Sequence, residues 1–148
     1  APLRESKTAA ASKAAASKRL PVLDTRTKAL AAVKANGLAL QYATPKLRAD
    51  PTVVLTAVQS NALALRFASP HLQEQRAIVL PAVKRSGLAL WYAARNLRKQ
   101  VKFVREAVAI SPVALEAAEL PYSAVAKIVH DYPAAKPYVP VEIRDLVA

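Results

Sequence analysis

The chain has no cysteine and no methionine. It can therefore hold no disulfide, no thiolate metal site and no thiol nucleophile. Glycine occurs only twice, which excludes a glycine-rich phosphate cradle, since that needs several glycines in a short span. Aromatic residues make up 5% of the chain, a thin supply for a base-stacking platform. The longest stretch without charge, Pro51 to Leu65, contains Gln59, Ser60 and Asn61. A membrane-spanning helix needs about twenty apolar residues, so none is expected. There are two histidines, His71 and His130, far apart and without ligand spacing, and both read as surface or capping residues. Glu116 and Glu119 read as a solvated face. No catalytic residue, metal site or cofactor is expected.

What is present is a repeat. Val33, Val58, Val83 and Val108 recur at a step of 25 residues, and Leu40, Leu65, Leu90 and Leu115 keep the same step. So do Leu30, Leu55 and Leu80, the aromatics Tyr42, Phe67 and Tyr92, and Leu47, Leu72 and Leu97. A fixed period of this size predicts a stacked array. Such arrays commonly present extended surfaces to other macromolecules. The chain has 148 residues, 53% of them hydrophobic, enough for one domain with a core.

Each unit reads as two helical pieces, with hairpins expected at about residues 25–48, 50–73 and 76–98. Asp24 and Asp50 are candidate N-caps, and Pro51 fits a first helical turn. Val54, Leu55 and Val58 form an apolar stripe at three- and four-residue spacing. Gly37 and Gly87 occupy one repeat position after Asn36 and Ser86. They are expected to end the first piece with positive φ. The second piece, Leu38–Ala43 in the first unit, should place Leu38 and Tyr42 on one face. Thr44-Pro45 and Ser69-Pro70 read as cap and first position of a further helical turn. The fold class expected is all-α: a short α-solenoid-like body over residues 20–132. A basic Ala/Ser/Lys-rich arm (1–19) and a Pro-rich extended arm (133–148) flank it.

Charge is unevenly spread. There are 22 Lys and Arg against 10 Asp and Glu, a formal net charge of +12. Arg76, Lys84, Arg85, Arg95, Arg98, Lys99, Lys102 and Arg105 stand against Glu106 alone in residues 76–110, whereas residues after 110 are mildly acidic. A basic block can face acidic protein, anionic lipid or nucleic acid. Trp91 lies inside it, where the other units have Gln41 and Arg66. Arg85, Trp91, Arg95, Arg98, Lys99 and Lys102 are the candidate partner-binding residues. For Trp91 the alternative is packing on the fourth unit.

The units resemble DUF4116, a protist-enriched helical repeat of unknown function. The pattern is carried by Ala32-Val33, Asn36-Gly37, Ala39-Leu40, Tyr42-Ala43-Thr44 and Leu47-Arg48. It returns in Ala57-Val58, Asn61-Ala62 and Ala64-Leu65, and again in Ala82-Val83, Ser86-Gly87 and Ala89-Leu90. The resemblance spans about residues 24–100 and implies a helical fold and no known reaction.

Two functions from different classes are compatible with these features. The first is a non-catalytic accessory subunit of a large organelle complex, held through both tails and the basic block. The start at Ala1 and the acid-poor first nineteen residues read as a processed transit region, and a basic subunit could sit beside an anionic membrane surface. The lineages implied by the resemblance favour a plastid photosystem or light-harvesting supercomplex on the stromal side of the thylakoid. A mitochondrial bioenergetic complex comes next. The second is an RNA-binding helical repeat, such as an organelle ribosome subunit.

Overall fold

A computed structural model describes residues 22–147. The expected N-terminal arm, residues 1–19, lies outside them. The described residues form an all-α stack of short units, with no strand beyond an isolated bridge between Leu23 and Ala43.

Each unit opens with a ten-residue helix: Arg26–Ala35, Pro51–Ser60, Arg76–Arg85 and Val101–Ile110. Helices this short are marginal alone, so packing must hold them. In the second to fourth units the third, fourth, seventh and eighth positions are buried: Val53, Val54, Ala57 and Val58; Ile78, Val79, Ala82 and Val83; Phe103, Val104, Ala107 and Val108. Residues at these spacings line one side of a helix, which faces the core. Pro81 sits mid-helix in the third unit. It has no N–H, so the Ala77 carbonyl lacks its helical donor.

A single extended residue ends each helix: Asn36, Asn61, Ser86 and Ser111, with φ between −145° and −154°. The Asn36 and Asn61 side chains accept from the N–H two residues on, at 3.1 and 3.0 Å. The chain then enters a six-residue 3-10 helix: Gly37–Tyr42, Ala62–Phe67, Gly87–Tyr92 and Pro112–Ala117.

Two expectations fail at this point, each for a physical reason. Neither Gly37 nor Gly87 has positive φ, because the extended residue before them makes the turn. The glycines are needed for space. A Cβ on Gly37 would overlap the Ala57 carbonyl oxygen and lie 2.8 Å from the Asn61 nitrogen. A Cβ on Gly87 would overlap the Ser111 hydroxyl and lie 3.0 Å from the Ala114 nitrogen. Leu38 and Tyr42 were also expected to share an α-helical face. In a 3-10 helix, residues three apart eclipse, so Leu38 lines up with Gln41. The fully buried positions are instead Leu40, Leu65, Leu90 and Leu115.

A four-residue helix closes the first three units: Pro45–Arg48, Pro70–Gln73 and Arg95–Arg98. Leu47, Leu72 and Leu97 turn back into the core. The expected Thr44 and Ser69 side-chain caps do not form. Their backbone N–H groups donate to the preceding unit instead. Thr44 pairs with Leu23 at 3.2 Å, Ser69 with Arg48 at 2.9 Å, Ala94 with Gln73 at 2.9 Å and Glu119 with Arg98 at 3.0 Å. This ladder repeats at the sequence period and runs along the stack. Asp50 caps as expected, accepting from Thr52 and Val53. Asp24 does not: Thr25 is the cap, and Asp24 pairs with Lys28 at 3.1 Å.

The C-terminal arm is not extended. Tyr122–Asp131 is a fifth long helix, and Pro133–Tyr138 a fifth 3-10 helix. Val125, Ile128, Val129, Ala135 and Val139 enter the core. The fourth unit lacks the four-residue helix, so the step to the fifth shortens by that length. At the end of the stack, exposed Lys136 replaces the buried leucine. Pro140, without an N–H, takes the position of the ladder donor. Both changes interrupt the series at the fifth unit, the last among the described residues. A short 3-10 turn, Val141–Ile143, and a last helical turn, Arg144–Val147, follow.

Candidate interaction surface

The core has no buried charged residue among the described residues, and no group of His, Asp and Glu there could hold a metal. His71 is exposed on its short helix, its Nε2 2.9 Å from the Gln75 amide nitrogen, and His130 is exposed. The charged side chains of the described residues therefore lie at or near the surface.

Half of the basic block is tied into seams between units. Arg76 pairs with Glu106, and Arg105 with Asp131. Arg95 and Arg98 converge on Glu119, the Arg98 contact being 2.9 Å. Glu119, expected on a solvated face, is thus the hub of a three-residue cluster. Its pKa lies below the usual carboxylate range. The Arg95 hydrogen bond is the largest cause, partial burial opposes it, and the charges of Arg98, Arg95 and Lys99 add to it. Arg98 is only 16% exposed, and its guanidinium also reaches the Ala117 carbonyl at 3.4 Å. Arg95 and Arg98 therefore act first as inter-unit fasteners. The sequence gives no sign of this, because the partners lie 24 and 21 positions away.

The remaining cations do not form one patch. Arg85, with Lys84, lies at the C-terminal end of the third long helix. Lys99 and Lys102 lie around the start of the fourth. A ten-residue helix is about 15 Å long, so the two pairs flank opposite ends of the units. Trp91 is 50% exposed. The Arg98 guanidinium lies 6.0 Å from its ring centre, a cation–π contact. The ring also borders a shallow depression formed with Ala117, Leu120, Pro140 and Ile143. Trp91 thus borders the same depression as residues of the fourth unit and the C-terminal turn while staying half exposed.

A second depression, of about 520 Å³, was not evident from the sequence. It runs over the outer side of three long helices and is lined by Gln59, Leu80, Pro81, Lys84, Arg85 and Ile110. Exposed apolar side chains in this half of the molecule include Leu88, Trp91, Val101 and Ile110. The periodic variation at the fifth and tenth positions of the long helices is the signal that would have located this groove.

The family model of a domain of unknown function, DUF4116, matches residues 26–73. That span covers the first two units and ends with the second short helix. No curated protein and no solved structure matches the chain.

Proposed function

We propose that this chain is a non-catalytic structural subunit that scaffolds or links protein neighbours within a large organelle complex. One observation carries the choice over RNA binding. Four of the eight cations in the basic block are spent on inter-unit ion pairs, while the same stretch exposes Leu88, Trp91, Val101 and Ile110. Apolar side chains ringed by a few cations suit a protein interface. A phosphate backbone needs a continuous basic track. The proposal extends to a plastid photosystem or light-harvesting assembly, ahead of a mitochondrial one, on the lineages in which the repeat is enriched.

The test is native sizing of organelle extracts, followed with an antibody to the chain. A scaffold subunit migrates in a high-mass particle that survives nuclease. Migration at the mass of the free chain in both plastid and mitochondrial extracts would overturn the reading.

A further inference from the structure

We infer that the groove lined by Leu80, Pro81, Lys84, Arg85 and Ile110 docks an acidic segment of a partner protein that carries an apolar anchor. The inference rests on the scaffold reading and names the chemistry of the partner.

The argument begins with register. Leu80 and Ile110 hold the fifth position of the third long helix and the tenth of the fourth. At the next seam these two positions are Arg105 and Asp131, which form an ion pair. The same register is closed by charge at one seam and left apolar at the other. Ile110 keeps 43% of its surface exposed. Beside this floor, Lys84 and Arg85 are both exposed, and neither pairs with an acid among the described residues. Among the described residues no acid lines the groove. Every other arginine of the basic block has a carboxylate partner. The groove therefore presents the chain's own seam chemistry, cation against acid over an apolar contact, with the acid missing.

An acidic segment completes that arrangement. One carboxylate can take the planar fork of Arg85, a second can meet Lys84, and an apolar side chain between them covers Leu80, Pro81 and Ile110. A volume of about 520 Å³ has room for such an anchor. Nucleic acid would meet only two cations, beside Gln59 and over the apolar side chains of Leu80, Pro81 and Ile110.

The test uses the full chain and a short synthetic peptide of alternating Glu and Leu, with backbone resonances followed by NMR. Three other probes are titrated in parallel: the same peptide with Lys for Glu, phosphatidylglycerol vesicles, and single-stranded poly-uridine. The Glu peptide should shift Leu80, Lys84, Arg85 and Ile110. Lys84→Glu with Arg85→Glu should weaken it about tenfold or more, while Lys99→Glu with Lys102→Glu leaves it unchanged. Circular dichroism of both variants shows whether the fold is kept. Equal binding of the Lys peptide overturns the inference. So do shifts confined to other surfaces, or groove shifts seen only with vesicles or RNA. If the peptide fails while the chain still travels in its large particle, the docking site falls and the scaffold reading stands.

Discussion

Arg98 and Glu119 stand 2.9 Å apart across the seam between the third and fourth units. The Glu119 backbone N–H donates to the Arg98 carbonyl at the same seam, at 3.0 Å. Side chain and backbone thus fix one register twice. Arg95 adds a second guanidinium to the same carboxylate. The cluster fastens this one seam, and Trp91 beside it keeps half of its surface exposed.

The cluster makes stability depend on pH in a definite direction. The Glu119 pKa is lowered in the folded chain, chiefly by its Arg95 hydrogen bond. Its contribution is therefore complete above the usual glutamate pKa and is lost as pH falls through the folded value. Asp24, lowered chiefly by its Lys28 hydrogen bond, acts in the same sense. Thermal melts of wild type and Glu119→Gln should differ at neutral pH and converge in strong acid. A difference that persists unchanged into acid would contradict the assignment.

The glycines predict an asymmetry. At Gly37 an added Cβ meets the backbone of Ala57 and Asn61, which cannot rotate away. At Gly87 the nearest obstacle is the Ser111 hydroxyl. Gly37→Ala should destabilise by about 1–3 kcal/mol, the usual range for overpacking. Gly87→Ala should cost less, and Ser111→Ala should relieve it in part. Urea melts of the three variants check the order. Equal losses at both glycines would argue against close approach as the cause.

The fifth unit predicts where the chain can be shortened. Ending it after Val139 removes no fully buried residue among those described and should cost about 1 kcal/mol. Ending it after Asp131 also strips the buried Ala135 and Val139 from the fourth unit's 3-10 helix. That should cost roughly 3 kcal/mol or more. Denaturant midpoints of the two truncations decide. Equal midpoints would make the C-terminus an appendage.

The period was legible because the core demands it. Val33, Val58, Val83 and Val108 fill equivalent places between like units, so volume is held constant. The fifth unit was hidden by two local changes. Loss of the short helix moves Val129 off the 25-residue step, and Lys136 breaks the leucine series in the fifth unit. The backbone ladder from Leu23 to Glu119 leaves no mark on side-chain identity. Positive φ was expected at Gly37 because glycine after a helix usually marks a left-handed turn. Here Asn36 turns the chain in the extended region and glycine serves the neighbouring unit. Of the candidate partner-binding residues, the sequence could not show which are paired within the chain. Arg85, Lys99 and Lys102 remain available, whereas Arg95 and Arg98 are committed to Glu119.

The most direct test of the scaffold account is retention of the chain on its purified native particle across a salt series, with and without nuclease. Protein contacts that include apolar area predict retention after nuclease and a moderate decline with salt. Lys84→Glu with Arg85→Glu should detach the chain at lower salt. An RNA interface through Lys84, Arg85, Lys99 and Lys102 would give a slope of roughly −3 in log affinity against log salt on single strands. Release by nuclease alone would contradict the account.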